Sequence, residues 1–264
     1  MRKLPLVLPL LLLCAVQAQA RRVVSLMPSY TEIIYALGAG GDLVGRSNFC
    51  NWPPEALKVA AAGDYLRPNL EKVYSLKPDA VFTGAWAGKT TAKQLSSLGV
   101  KVVSLPEEKT VSDILNTVRL IAAELGLKKE GAALAARLAA QAKAPASGRP
   151  LKVYVEVDAG GWTTGGRTFV SDAVRLAGGR NVFGGEKRGF FQATWEETLL
   201  LDPEAVILLA GTPEEFQARP MAKDLAAVKA GRVIAWPNRD AFTRPGPRLF
   251  GEIAKLRKFL NDEK

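Results

Sequence analysis

The sequence predicts an α/β protein of two similar lobes with mainly parallel sheets, joined by a single long linking helix, with a ligand cleft between the lobes. Short apolar segments alternate with helical segments, and this alternation occurs in two separate series. An alanine-rich helical segment separates the two series. The β-α-β order is typical of parallel sheets, because parallel strands need a crossover connection that is usually a helix.

The first series predicts an N-terminal lobe over residues 21–126. It begins with the apolar segment RVVSLM from Arg22, which is followed by a turn, a helical segment and glycines. Two further strands are predicted, PDAVFTG from Pro78 and KVVSLP from Lys101, with helical periodicity between them over 90–98.

Two helical segments follow the first lobe. Apolar residues recur at helical spacing over 111–126, and the alanine-rich segment 127–144 has no internal proline. An 18-residue helix would reach about 27 Å, which is long enough to join two lobes lying side by side. The segment PASGRP, 145–150, then predicts a hinge, so that residues 127–149 form the predicted linker.

The second series predicts a C-terminal lobe over residues 150–264. Its strands are KVYVEV from Lys152, PEAVILLAG from Pro203 and RVIAWP from Arg232. The alternation is the same as in the first series, so the same kind of sheet is expected.

An internal repeat relates the two lobes. The segment LEKVYSLKPDAVF from Leu70 aligns with WEETLLLDPEAVI from Trp195, which places Glu71 over Glu196. The segments before and after this block also correspond in the same order. Three correspondences in one order predict two lobes of similar topology.

The N-terminus has the features of a cleaved secretory signal peptide, residues 1–20. Two basic residues precede an apolar run over 4–16, and Ala-Gln-Ala at 18–20 fits a cleavage site. The run is shorter than the roughly 20 residues needed to span a bilayer. We therefore expect a soluble, periplasmic mature protein that begins near Arg21.

The cysteine and histidine content excludes several kinds of site. Lipidation of Cys14 is the alternative to cleavage after residue 20, although Leu13 is bulky for a lipoprotein signal. Cys50 is then the single cysteine of the mature chain, so no intramolecular disulfide is expected. Because the chain has no histidine, Ser-His-Asp and Cys-His centres and histidine-ligated metal sites are excluded. We predict no catalytic residues, no metal site and no cofactor.

The segment VFTGAWAGKT, 81–90, has the order of a phosphate-binding loop without its spacing. Such a loop needs a glycine at the position of Thr83, and Gly84 is one residue too close to Gly88. We interpret the loop as one that presents Trp86 to the cleft.

The net charge of +10 is spread along the chain, which favours a solvated surface over a nucleic-acid partner.

Aromatic residues occur in the segments that should surround the cleft, where the carboxyl ends of the two sheets face each other. Flat aromatic side chains there would suit a large, partly apolar ligand. They are Tyr30, Phe49, Trp52, Tyr65 and Trp86 in the first lobe, and Trp162, Phe190, Phe191 and Phe242 in the second.

The segments over 22–56, 63–82 and 242–249, and with them nearly the whole mature chain, resemble the helical-backbone class of substrate-binding proteins of ABC importers, which carry cobalamin, siderophores or haem. The block PNLEKVYSLKPD, 68–79, is specific for this class. The segments NFCNWPPEA, 48–56, and RPGPR, 244–248, favour its cobalamin-binding branch. The resemblance implies a periplasmic monomer that binds cobalamin or a related corrinoid and delivers it to the transmembrane subunits of an ABC importer.

The resemblance also implies roles for individual residues. Glu71 and Glu196 would each meet arginines on one transmembrane subunit of the importer. Tyr30 is included as a ligand contact although the class commonly has a small polar residue there, and Ala241 stands where an aromatic residue can occur. The resemblance implies ligand contacts at Phe49, Trp52, Tyr65, Trp86, Trp162, Phe190, Phe242 and Arg248, to which the predicted cleft aromatics add Tyr30.

Three alternatives stay open from the sequence: a haem carrier, a ferric-siderophore carrier and an exported enzyme. Without histidine, a haem carrier would need a tyrosinate ligand, whereas a siderophore carrier would need converging cations and an enzyme would need paired carboxylates. The candidates are Tyr30 or Tyr65 for haem, Arg46, Arg67, Arg167 and Arg244 for a siderophore, and Asp158 and Asp240 for catalysis.

Overall fold

The computed structural model describes residues 21–85, 89–143 and 149–261. The predicted signal peptide, Cys14 and Trp86 therefore lie outside the described residues. Within the described ranges, no helix is both long and apolar enough to cross a membrane.

The N-terminal lobe is built on a parallel sheet with the strand order β2-β1-β3-β4. Strands β1 and β3 are buried along their whole length, as expected for central strands covered by helices on both faces. The strands are β1 (Val23–Ser25), β2 (Leu43–Arg46), β3 (Ala80–Gly84) and β4 (Val102–Leu105), and the helices are α1 (Pro28–Ala36), α2 (Leu70–Ser75) and α3 (Lys89–Ser97).

The C-terminal lobe is built on a second parallel sheet with the order β7-β5-β9-β10. Its strands are β5 (Leu151–Glu156), β7 (Gly179–Asn181), β9 (Ala205–Leu208) and β10 (Val233–Ala235). Its helices are α6 (Phe169–Leu176), α7 (Trp195–Leu201), α8 (Pro213–Gln217), α9 (Ala226–Lys229), α10 (Arg239–Thr243) and α11 (Arg248–Asn261). The predicted fold class is confirmed.

The internal repeat is present in three dimensions. The two sheets have equivalent strand orders, and α2 and α7 begin at the positions that the sequence alignment pairs. The turn after each of these helices contains a left-handed residue, Lys77 with φ 47° and Asp202 with φ 43°. The alignment pairs these two residues as well, so the turn that leads into the core strand has the same conformation in both lobes.

The sequence predicts a single linking helix, whereas two packed helices, α4 (Val111–Glu124) and α5 (Lys128–Ala142), lie between the strands of the two lobes along the chain. A Cβ on Gly131 would lie 2.2 Å from the Cβ of Ala122, so the close approach of α4 and α5 requires a glycine at this position. Helix α5 also packs against α11, and one apolar core extends through both sheets and these helices. The lobe boundaries at residues 126 and 149 stay a prediction.

A short antiparallel ribbon was not predicted. It consists of β6 (Trp162–Thr164) and β8 (Phe190–Gln192), and Trp162 lies opposite Gln192. From the sequence, Trp162 and Phe190 are expected in segments around the cleft, and no strand is predicted for either residue. Both residues lie on extended strands whose paired backbones fix the direction of their side chains.

Candidate functional site

A cavity of about 820 Å³ lies between the two lobes. Its walls come from the start of α1, from segments that follow β2 and β4, and from the second lobe around α6, β8 and α10. The lining residues are Met27, Pro28, Ser29, Phe49, Tyr65, Glu107, Glu108, Arg167, Thr168, Phe169, Gly189, Phe190, Arg239, Asp240, Thr243, Arg244 and Pro245. The inter-lobe position is the one that the sequence predicts for the cleft.

Two aromatic pairs, one from each lobe, line this cavity. Phe49 and Tyr65 have ring centroids 5.4 Å apart, and Phe169 and Phe190 have centroids 6.3 Å apart. Phe49 and Phe190 are about half exposed, so their faces are available to a ligand. The repeat pairs Tyr65 with Phe190, which means that equivalent positions of the two lobes both line the cavity. Sequence reasoning missed Phe169, which is the first residue of α6 and directly follows the helix cap Thr168.

Trp162 and Trp52 are both nearly half exposed, and neither lines the main cavity. Trp162 lines an adjoining pocket of about 270 Å³ that shares Phe190, Arg239 and Thr243 with the main cavity. Trp52 is not among the residues that line either pocket, and its ring covers the guanidinium of Arg248 at 4.9 Å.

Arg248 is held by an ion pair outside the cavity wall. Its Nη2 lies 2.6 Å from Glu32 Oε1 and its Nε donates to Glu32 Oε2 at 3.0 Å. Glu32 is buried in α1, so the pair joins the first lobe to the start of α11. Arg248 does not line the cavity and is paired with a buried carboxylate, and its predicted ligand contact stays a prediction.

Tyr30 and Phe242 do not face the cleft, which corrects their predicted roles. Both side chains are fully buried, with 0% exposure. Phe242 packs against Trp236 with ring centroids 5.4 Å apart. Burial raises the pKa of the Tyr30 phenol, and the negative charge of nearby Glu108 raises it further. A tyrosinate at Tyr30 is therefore strongly disfavoured.

A polar network lines the second-lobe side of the cavity and reaches across to the first lobe. Arg244 donates to Asp240 Oδ2 and to Asn51 Oδ1, both at 2.6 Å, and Asn51 donates to Asp240 at 3.1 Å. Arg239 lies 3.2 Å from Asp158. Since Asp158 and Asp240 are each paired with an arginine, neither carboxylate is placed as a free acid or base.

The candidate cations for a siderophore converge only in part. Arg167 and Arg244 line the cavity, whereas Arg46 and Arg67 do not. Arg244 is already paired with Asp240. Within the described ranges, Arg167 has no recorded ion pair, so it is the lining arginine whose charge is not compensated by a protein carboxylate.

Glu108 is a buried carboxyl group in the cavity wall that sequence reasoning missed. It is 6% exposed, and Thr117 donates to its Oε1 at 2.9 Å. Burial raises the pKa of Glu108 above its ordinary value, and the hydrogen bond from Thr117 opposes this shift without cancelling it. Among the described residues, no group of three or more cysteine, aspartate or glutamate side chains is placed to hold a metal ion.

Glu71 and Glu196 are exposed in the first turns of equivalent helices. Glu71 lies on α2, which Asn69 caps, and Glu196 lies on α7, which Thr194 caps. Neither glutamate forms an ion pair with the part of the chain that the structure describes. Each stands six residues after a cavity-lining aromatic, so the two carboxylates have the same relation to the cleft.

Comparison with known proteins gives a consistent family assignment. Residues 23–239 match the model of the family described as "Periplasmic binding protein". An uncharacterised ABC transporter substrate-binding lipoprotein, YvrC of Bacillus subtilis, is 30% identical over 254 residues, which cover 91% of this chain and 80% of YvrC. A vitamin B12-binding protein of Vibrio vulnificus strain YJ016 is 30% identical over 94% of this chain and 93% of its own length.

A solved structure of a heme-binding protein has the same fold. The periplasmic heme-binding protein BhuT, in complex with two hemes, superposes with a TM-score of 0.78 at 25% identity, over 91% of this chain and 97% of BhuT. Relatives that bind different macrocycles therefore share this architecture.

Proposed function

The chain belongs to the periplasmic binding protein family, and we propose that it captures cobalamin or a related corrinoid in the inter-lobe cavity and delivers it to an ABC importer. The observation that carries the proposal is the cavity of about 820 Å³ with an aromatic pair on each side. A volume in this range suits one large organic ligand, and flat rings supply contact area at low entropic cost.

The choice of a corrinoid over haem depends on axial ligation. The chain has no histidine, and Tyr30 is buried with a raised pKa, which leaves Tyr65 as the tyrosine that lines the cavity. A corrinoid brings its own axial groups and needs only packing and hydrogen bonds from the protein. Haem stays the second candidate, because Tyr65 lines the cavity and BhuT shares the fold.

The proposed ligand contacts are the cavity-lining aromatics of both lobes. Phe49 and Tyr65 would pack on one side of the ligand, and Phe169 and Phe190 on the other, with Trp162 at the edge. Asp240 and Arg244 would supply polar contacts to amide groups on the rim. Trp86 keeps its proposed role from the sequence, since the structure does not describe it.

A titration of the purified mature protein tests this assignment. We expect one cobalamin per chain, with quenched tryptophan emission and no equivalent binding of haem. Tyr65→Ala should weaken cobalamin binding by about 1–2 kcal/mol, which is roughly 5- to 30-fold, because a central aromatic contact is lost. Tyr74→Ala is the matched control, because Tyr74 is about half exposed on α2 and does not line the cavity. Equal affinity of the two variants would contradict the proposed pocket.

We place importer docking on Glu71 and Glu196. Both are exposed, both lack an ion pair within the described residues, and the repeat puts them at equivalent points of the two lobes. Charge pairs of this kind guide docking and fix its register more than they add affinity. The double variant Glu71→Ala with Glu196→Ala should keep cobalamin binding and lose uptake through the cognate importer, most clearly at low salt.

A second double variant controls for the loss of two negative charges. Glu130 and Glu214 are also exposed first-turn glutamates, on α5 and α8. Alanine at both positions should leave uptake at the wild-type level. Wild-type uptake by the Glu71/Glu196 double variant, or loss of its cobalamin binding, would show that the two residues do not act in docking.

We also propose export with cleavage after Ala20 and a periplasmic location. The intact mass of protein from the native host should match a chain that begins at Arg21. A diacylglyceryl increment on Cys14 would show that the chain is a lipoprotein, as YvrC is named.

A further inference from the structure

A second cavity, of about 410 Å³, lies beside the main cleft on the second lobe. One wall is the start of α4, and the others come from the segment before α6, from α6 itself and from the edge strand β7. The charged residues of its lining are Lys109, Arg167, Asp172, Arg175 and Arg180. Aromatic side chains are absent from this lining, which distinguishes the pocket from the main cavity.

The lining of this pocket is strongly basic. Four cationic side chains and one carboxylate contribute to it. Arg175 is paired with Asp172 at 2.6 Å, and Lys109 lies 3.5 Å from Glu107 in an exposed pair. Arg167 and Arg180 have no recorded ion pair within the described residues. The pocket therefore has uncompensated positive charge beside backbone and hydroxyl groups, which favours an anionic group.

The basic pocket and the main cleft adjoin on two walls. Glu107 and Glu108 line the cleft, and the next residues, Lys109 and Thr110, line the basic pocket. On the opposite wall, Arg167 lines both cavities. A ligand in the cleft with an anionic arm could extend past Arg167 into the pocket.

We propose that the basic pocket binds a phosphate-type oxyanion through Arg167 and Arg180. Guanidinium groups bind phosphate oxygens through two parallel hydrogen bonds, which gives orientation as well as attraction. The volume of the pocket exceeds the needs of one phosphate ion and suits a phosphate carried on an organic arm. The phosphodiester of a cobalamin in the cleft is one source of this group, which rests on the proposed function, and free phosphate is the other.

Two corrinoids, one with a phosphodiester and one without, distinguish a bound corrinoid phosphate from free phosphate as the occupant of the pocket. Cobalamin carries a phosphodiester in its nucleotide loop, whereas dicyanocobinamide has the same corrin ring without the nucleotide and its phosphate. Arg180→Gln removes a charge from the pocket without touching the cleft, because Arg180 does not line the main cavity. Arg137→Gln is the matched control, because Arg137 is exposed on α5 and lines neither cavity.

Calorimetric titrations with cobalamin, dicyanocobinamide and inorganic phosphate should be made on the wild type and both variants. We expect Arg180→Gln to weaken cobalamin binding about tenfold, as for loss of a charge-assisted hydrogen bond, and to leave dicyanocobinamide binding unchanged. The preference of the wild type for cobalamin should fall with added salt. Arg137→Gln should behave as the wild type with all three ligands.

The titrations of the wild type and Arg180→Gln have three outcomes that would change the assignment of the basic pocket. If Arg180→Gln abolishes phosphate binding while the two corrinoids bind alike, the pocket is a site for free phosphate. If neither phosphate affinity nor the cobalamin preference changes in Arg180→Gln, the pocket is not an oxyanion site. If the wild type binds no corrinoid, the proposed function fails, and the phosphate titration alone then decides the pocket.

Discussion

Replacing Glu32 with alanine tests how the two lobes are held together. The buried Glu32 carboxylate on α1 accepts two hydrogen bonds from Arg248 and lies 3.4 Å from Arg244. These arginines follow α10 and begin α11, so the contacts tie the first lobe to the C-terminal helices. In Glu32→Ala the guanidinium of Arg248 would lose the carboxylate that compensates its charge, whereas Arg244 would keep its pair with Asp240.

The expected magnitude follows from the burial of the three groups. The side chain of Glu32 is 2% exposed, and those of Arg244 and Arg248 are 15% and 18% exposed. Removing one partner of a buried ion pair costs about 3–5 kcal/mol. Since the arginines retain some water, we expect a loss near the lower limit, about 3 kcal/mol. In a chain of this size this loss lowers the melting temperature by roughly 6–12 °C.

Thermal and urea unfolding, followed by tryptophan fluorescence, measure this loss. Trp52 covers Arg248 at 4.9 Å and should report the local change. Lys101→Ala is the control, because it breaks the exposed pair with Glu124, which should be worth less than about 1 kcal/mol. If Glu32→Ala and Lys101→Ala shift the unfolding midpoint equally, the carboxylate does not hold the lobes together.

Three single substitutions and one scattering measurement give further predictions. The pKa of Glu108 is raised in the folded state, so the protonated carboxyl contributes to the free energy of unfolding. This contribution is complete at a pH below the pKa of Glu108 in the unfolded chain, and it is lost as the pH rises through the pKa in the folded protein. Glu108→Gln should remove this pH-dependent loss, and urea titrations across the pH range measure it. Gly131→Ala should destabilise the protein by about 1–3 kcal/mol, because its Cβ would meet Ala122 at 2.2 Å. Gly251→Ala, in a helix with open space at the Cβ position, should instead raise stability by up to about 1 kcal/mol in the same unfolding assay. Since one core extends through both lobes, small-angle scattering should show little change in radius of gyration on cobalamin binding, and a large decrease would contradict this rigidity.

The fold was accessible from the sequence because its determinants are local. Apolar runs such as VVS in β1 and AVIL in β9 form strands where the pattern places them. The repeat predicted equivalent strand orders, and the structure adds matching left-handed turns at Lys77 and Asp202. The period of the apolar residues, the residue types in turns and the internal repeat are visible in the sequence itself, so predicting these elements requires no knowledge of distant contacts.

The site was accessible only in part, because the orientation of a side chain depends on how its element packs. Phe49, Tyr65 and Phe190 were identified from their segments and do line the cavity, but Tyr30 was placed there and is buried. Tyr30 lies on a helix that follows a strand ending at the cleft. Whether such a side chain points to the cleft or to the core depends on how the helix is rotated about its axis relative to the sheet. The sequence does not contain that rotation.

The sequence by itself determined the two-lobe α/β architecture and the internal repeat. Its lack of histidine also excluded the catalytic and metal sites that need an imidazole. Only the tertiary structure decided which groups meet. Arg248 pairs with Glu32 across 216 residues of chain, and the basic pocket joins Lys109 to Arg180. Such groups come together because packing of the helices brings distant segments within bonding distance, and long-range charge pairing has no local sequence signal.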